Sequence, residues 1–271
     1  GSGANTLDLN AYTAGALAVT VKLAGDSNEV TVKNAAGTTL ITVHGVTNIM
    51  GGPVNDRFVF DKGAVLKGWL DGGTGVNTLS YEGYTSQVIA KLDTNQSPQP
   101  SGMSGFKEAT GILQGVKNVR DIVGGTATNV LVGDDGQANR LTGGKQIDTL
   151  TGGNGDDTLS GSEGDDILIG GLRADGLNGG EGSDSYRFSL TDYDDPIITA
   201  NNRDTIIEGS GPRDGDLDTL DFSALPADVA GKAVKLTVDV GDPLATGLQV
   251  NLWHDGVDKG ALFTSPAQNV E

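Results

Sequence analysis

The sequence predicts an all-β solenoid in which short parallel strands stack coil upon coil. Three observations lead there. A nine-residue period holds for seven consecutive units. Glycine and aspartate keep to fixed places within each unit. The apolar supply is also thin for a conventional core, with 36% hydrophobic and 5% aromatic residues. Of 271 residues 43 are Gly, without the every-third-residue rule of collagen, and only 8 are Pro, too few for a Pro/Gly-rich disordered linker.

The units read GGTATNVLV (124–132), GDDGQANRLT (133–142, one residue longer), GGKQIDTLT (143–151), GGNGDDTLS (152–160), GSEGDDILI (161–169), GGLRADGLN (170–178) and GGEGSDSYR (179–187). The sixth place is held by Asn129, Asn139, Asp148, Asp157, Asp166, Asp175 and Asp184. The eighth is held by Leu131, Leu141, Leu150, Leu159, Leu168, Leu177 and Tyr186. Such a period defines the architecture before any propensity is considered. Three residues around the eighth place are expected to form a short strand whose middle side chain points inward. The six residues G-G-x-G-x-D are expected to form a turn, where glycine permits positive φ and lets carbonyls converge.

Two units make one coil with a strand on each side, so every second turn stacks. Asp148 then lies over Asp166, Asp157 over Asp175, and Asp166 over Asp184. Two carboxylates with several turn carbonyls form an all-oxygen cage of about six to eight ligands, which suits Ca2+; Mg2+ prefers a smaller, more hydrated octahedral site. The metal-ligating candidates are Asp148, Asp157, Asp166, Asp175 and Asp184, and the turn glycines Gly143, Gly152, Gly153, Gly155, Gly161, Gly164, Gly170, Gly179 and Gly182. Asn129 and Asn139 are expected to give weaker or empty sites. Arg173 stands where the pattern has glycine, and its charge opposes a cation near Asp175. Asp156 and Asp165, at the fifth place, are expected to be solvated.

The net charge is −18, from 36 acidic and 18 basic residues. That balance opposes nucleic acid and anionic membrane surfaces as partners. No apolar run approaches the roughly 18–20 residues of a membrane span, so no membrane insertion is expected. The absence of Cys excludes disulfides and thiolate metal sites.

A longer repeat surrounds the nonapeptides. GSGANTLDLNAYTAG (1–15), GGTGVNTLSYEGYTS (72–86) and LDTLDFSAL (217–225) are similar, and each precedes an alternating strand: LAVTVKL (17–23), QVIAKL (87–92) and AVKLTVDV (233–240). Segments with an Asn-Ile or Asn-Val strand, 45–59 and 115–132, then lead into Gly-Gly units. The third copy reaches QNVE and stops at that point of the cycle, so the chain is read as a piece of a longer protein. GGPVNDRFV (51–59) and GGTGVNTLS (72–80) read as isolated units, with Asp56 as a further metal candidate and Asn77 at the matching place. Polar, Pro-containing loops are expected at 94–105 and 192–203. The expected divisions are 1–71, 72–123, the nonapeptide block 124–187, and 188–271.

The tandem units resemble the RTX (repeats-in-toxin) nonapeptide family, whose motif is GGxGxDxUx with U a large apolar residue. That resemblance implies a right-handed parallel β-roll with Ca2+ in the turns of residues 124–187. The longer unit resembles the C-terminal roll domain of serralysin-type secreted metalloproteases. This implies that the outer segments continue the parallel roll as extra coils. The zinc motif H-E-x-x-H of those proteases is absent.

Nothing in the sequence assembles an enzyme. His44 and His254 are lone histidines at strand positions and read as surface or packing residues. There is no G-x-S-x-G elbow and no thiol nucleophile. Paired carboxylates fall on the repeat frame, where a cation explains them better than acid–base catalysis. Asp195-Pro196 and Asp242-Pro243 match a self-cleaving dipeptide but no accompanying feature. Trp69, Tyr81, Tyr84, Tyr193 and Trp253 could stack on sugars, and most are assigned to packing. The expected function is a structural, calcium-dependent roll of a secreted or cell-surface protein: an adhesin, surface layer or extracellular filament. The alternative is a non-catalytic module of a secreted enzyme that aids secretion or binds polysaccharide. The expected partners are calcium ions, with further copies stacked end to end or a surface polysaccharide as the other candidates.

Overall fold

The computed structural model describes residues 4–13, 15, 17–22, 29–61, 64–92, 107–109, 112–134, 136–188, 204–206, 219–221, 228–229, 232–239, 249–254 and 257–264. Strands and turns make up these residues, and none of them lies in a helix. The loops expected at 94–105 and 192–203 and both Asp-Pro bonds lie outside them.

Two sheets carry the described strands, and the chain alternates between them through the nonapeptides. Thr149–Asn154 lies in the first sheet, Thr158–Glu163 in the second, and Ile167–Leu172 in the first again. Partners within each sheet run parallel, one coil apart. Leu150 pairs with Leu168 and Leu159 with Leu177. The eighth-place residues Leu131 to Leu177 and Tyr186 are fully buried, as the period predicted. They form the inner ladder that holds the two sheets together.

The strands are longer than the three residues expected. Thr149–Asn154, Thr158–Glu163, Ile167–Leu172 and Gly176–Glu181 each have six residues and take in the two opening residues of the next unit, Gly-Gly or, at 161–162, Gly-Ser. The parallel neighbour offers the same backbone at the same height, so the ladder continues through the glycines: Gly153 pairs with Gly171 and Ser162 with Gly180. Strand periodicity then places Asp148, Leu150 and Gly152 on one inner face, and all three are buried.

The parallel coils continue beyond the nonapeptides. Thr6–Asp8 pairs with Asn48–Met50, Asn48–Met50 with Leu70–Asp71, and Arg57–Phe60 with Thr78–Ser80, all parallel. Units 51–59 and 72–80 are therefore not isolated. They stack directly, with Phe58 beside Leu79.

The outer segments depart from an all-parallel roll. Leu17–Lys22 runs parallel to Arg57–Phe60 but antiparallel to Glu29–Asn34, which in turn pairs antiparallel with Thr39–His44. Lys232–Asp239 and Gln249–His254 are also antiparallel. Apolar–polar alternation marks a strand but says nothing of its partner's direction. Local turn chemistry decides: Asn34 Oδ1 accepts the Ala36 and Thr38 N–H groups, and Gly37 adopts φ 78° to reverse the chain. The three long-repeat copies also differ in placement. Thr6–Asp8 and Thr219–Asp221 lie in the first sheet, whereas Thr78–Ser80 lies in the second.

The apolar interior is wider at the N-terminal side. Ile49, Phe58, Phe60, Leu66, Leu70, Tyr81 and Tyr84 are buried there. The Tyr81 and Tyr84 rings meet edge to face at 5.2 Å, and the Tyr84 hydroxyl donates to the Ala64 carbonyl. These two tyrosines are core residues. Trp69 is half-buried and His44 exposed.

Candidate metal centre

The turns carry two columns of sixth-place residues, one leading into each sheet. The first contains Asn129, Asp148, Asp166 and Asp184. The second contains Asn139, Asp157 and Asp175. Neighbours within a column are tied by one repeated contact. The backbone N–H of Asp148 donates to Asp166 Oδ1 at 2.7 Å, that of Asp157 to Asp175 Oδ1 at 2.7 Å, and that of Asp166 to Asp184 Oδ1 at 2.8 Å. Asp157 and Asp166, adjacent in the repeat series, thus belong to different columns. Sequence reasoning missed the last member of the second column, Asp204, whose Oδ1 accepts the Asp175 N–H at 3.0 Å. It lies 29 residues on and out of nonapeptide phase. The D-T-I triplet, like D-T-L of the repeats, was its signal.

The other carboxylate oxygens define the chemistry. Oδ2 of Asp148, Asp157, Asp166 and Asp175 is buried and makes no hydrogen bond. Each points at the Cα of the first glycine of its own unit. A Cβ on Gly143, Gly152, Gly161 or Gly170 would lie 2.1–2.4 Å from that oxygen, and one on Gly179 would lie 2.0 Å from Asp184 Oδ2. The carbonyl of the first glycine one coil ahead converges on the same place: Gly161 O at Gly143, Gly170 O at Gly152, and Gly179 O at Gly161, all within 2.6 Å of the added Cβ. Only glycine leaves this space open. Carboxylate and carbonyl oxygens that converge in this way are a donor set for a hard cation. Among the described residues no three His, Asp or Glu side chains cluster. Each cage therefore draws on carboxylates and backbone carbonyls.

Electrostatics agree with that need. Burial pushes the Asp157 carboxyl up to about 6 and that of Asp166 up to about 8, from an ordinary 3.8. The nearby Asp148 and Asp184 charges raise Asp166 further. Asp148 is raised by burial, and Asp175 by burial and then by the charge of Asp204. Asp156 and Asp165 are exposed, and Asp165 Oδ1 accepts the Ser183 N–H.

The remaining glycines shape the turn. Gly164 and Gly182 at the fourth place have φ 119° and 123°, and Arg173 adopts the same left-handed backbone at φ 89°. Its side chain is exposed, so the GGLRAD departure preserves the turn. A Cβ on Gly155 would meet Gln137 O at 2.3 Å. Gly153 and Gly171 at the second place have φ 107° and 111°, and a Cβ on Gly171 would lie 2.0 Å from Gly153 O. Gly171→Ala is expected to destabilise the folded protein by at least about 2 kcal/mol, from backbone strain and loss of coil contact together. Gly136→Ala, where φ is 103° but no atom lies within 4 Å of the added Cβ, should cost only the strain. Equal shifts in the urea midpoints of the two variants would contradict direct coil stacking at Gly171.

Asp56 occupies the matching place before Arg57–Phe60, but its surroundings differ. Its Oδ2 accepts the Gly52 N–H at 2.7 Å, and its own N–H donates to Asn77 Oδ1.

The fold and these turns define a class: a parallel β protein whose stacked Gly-Asp turns bring carboxylate and carbonyl oxygens together. Residues 135–168 and 160–187 match the RTX calcium-binding nonapeptide repeat (4 copies). These residues are similar to that repeat, and Ca2+ is the ion such repeats bind. No curated protein matches the chain.

Proposed function

We propose that this chain is a calcium-dependent structural segment of a large secreted or cell-surface repeat protein, such as an adhesin, a surface layer or an extracellular filament. The carrying observation is that Oδ2 of Asp148, Asp157 and Asp166, buried without a hydrogen bond, converges with the carbonyls of Gly161, Gly170 and Gly179. In this reading Ca2+ binds between Asp148 and Asp166, Asp157 and Asp175, Asp166 and Asp184, and Asp175 and Asp204. The glycines Gly143, Gly152, Gly161, Gly170 and Gly179 open the space, and Gly153, Gly155, Gly164 and Gly182 shape the turns.

At low Ca2+ the acids repel one another and resist burial, which keeps the coils unfolded and exportable. Outside the cell Ca2+ neutralises them, and its binding free energy becomes folding free energy. The narrow ladder of one large apolar side chain per unit leaves little else to drive folding of residues 140–187. The burial of Tyr81 and Tyr84 weighs against the alternative of a saccharide-binding enzyme module, since two of its candidate stacking residues are core. Circular dichroism of the chain with chelator and then with excess Ca2+ tests the proposal. The β signal is expected to rise on calcium addition, and identical spectra would overturn it.

A further inference from the structure

The calcium columns end in protein groups that do the work of a cation, and the change occurs at the same level in both columns. Asn129 accepts the Gly125 N–H with Oδ1 and donates with Nδ2 to Asp148 Oδ1 at 2.8 Å and Gly125 O at 3.2 Å. Asn139 accepts the Asp134 N–H and donates to Arg120 O at 2.7 Å. Beyond it, Arg120 takes the sixth-place position before Asp121–Val123, and its Nε donates to the Ala138 carbonyl. Next comes Asn77, which accepts the Asp56 N–H and donates to Asn118 O at 2.9 Å. At each of these levels an amide or guanidinium N–H meets a backbone carbonyl.

Buried acids follow the same division. Asp71 pairs with Lys117 Nζ at 3.0 Å and accepts from Asn118 Nδ2 at 2.7 Å. Asp148, Asp157, Asp166 and Asp175 instead keep a buried Oδ2 that makes no hydrogen bond. Apolar support divides likewise. The aromatic cluster of Phe58, Phe60, Tyr81 and Tyr84 lies on the amide side, and the acid side carries the single-leucine ladder, which ends in Tyr186 and Phe188.

We infer that the coils from Asn48 to Val132 form a calcium-independent template, and that Ca2+ adds the coils of residues 140–187 to its edge at Asn129 and Asn139. The inference rests on the calcium reading above and assigns it a direction. Without Ca2+ the template keeps its hydrogen bonds and core, because its amides and its own cations already satisfy the turns. The template then presents two open parallel strand edges, Asn129–Val132 and Asp121–Val123, in the register that the next coil requires. Each Ca2+ bound there fixes one further half-coil.

Hydrogen exchange read by mass spectrometry on the whole chain tests this. In chelator, Arg57–Phe60, Thr78–Ser80 and Asp121–Val123 are expected to stay protected, while Thr158–Glu163, Ile167–Leu172 and Gly176–Glu181 lose protection and regain it with Ca2+. Loss of protection in both groups together on chelation would overturn the template while leaving calcium-dependent folding intact. Protection of both groups in chelator would overturn the calcium reading and the template with it. As a second arm, Asn139→Asp places an acid at the boundary and is expected to make protection of Asp121–Val123 fall in chelator and return with Ca2+. Unchanged protection of that strand in the variant would count against the amide as the group that replaces calcium.

Discussion

Asp166→Asn is expected to stabilise the protein in chelator and destabilise it in excess Ca2+. Asp166 shares in two proposed calcium positions, with Asp148 and with Asp184, and its Oδ2 is buried without a hydrogen bond. An asparagine keeps the Oδ1 that accepts the Asp148 N–H and sets an NH2 group where the Gly179 carbonyl converges. The chain already uses this solution at Asn129 and Asn139. Satisfying a buried polar group in place of an orphaned carboxylate is worth about 1–3 kcal/mol in the metal-free state. In Ca2+ the balance reverses, because each site held at one hundred times its Kd contributes about 2.7 kcal/mol, and two sites lose a charged ligand. Urea midpoints of parent and variant in both solutions check this. A shift of the same sign in both would show that Asp166 is a plain turn residue.

The metal-free protein is expected to be more stable at pH 5 than at pH 8, the reverse of the usual behaviour of hydrogen-bonded or ion-paired carboxylates. Burial raises the folded-state values of Asp157 to about 6 and Asp166 to about 8, above the ordinary 3.8. Between these limits the folded chain holds protons that the unfolded chain has released. Stability therefore falls as pH rises through the window, by up to about 1.4 kcal/mol per pH unit for each acid still protonated when folded. Below about pH 4 both states are protonated and the penalty vanishes. Calcium binding displaces those protons, so apparent affinity should rise with pH over the same range. Thermal midpoints in chelator from pH 4 to 9 check the sign, and a midpoint that climbs with pH would contradict it. A proton thus partly replaces the metal, neutralising an acid without bridging two turns.

Much of the centre was legible in the sequence because its period is uninterrupted. Once Asp148 and Asp166 lie two units apart, stacking brings them together whatever the intervening residues are. Arg173 and Ser162 show how far that logic reaches, since both take up the backbone of the glycines they replace. Asp204 was not legible, because the chain reaches its column after a detour that breaks the period. Arg120 was hidden for the same reason: the unit before Asp121–Val123 has no Gly-Gly opening to set the frame. The stacking of units 51–59 and 72–80 was missed because their coil is three residues longer than two nonapeptides.

By itself the sequence determined the parallel nonapeptide coils, their inward leucine ladder and the acids that face each other across one coil. Those properties follow from identical units with identical lowest-energy conformations, which stack in only one register. Tertiary structure alone decided three matters. The outer alternating strands fold back as antiparallel hairpins, because alternation sets a face and not a direction. The glycine pairs join the strands, because a parallel neighbour supplies hydrogen-bond partners that propensity does not count. The partners of Asn129 and Asn139, the carbonyls of Gly125 and Arg120, came only from the structure, because residue type does not say which carbonyl an amide reaches.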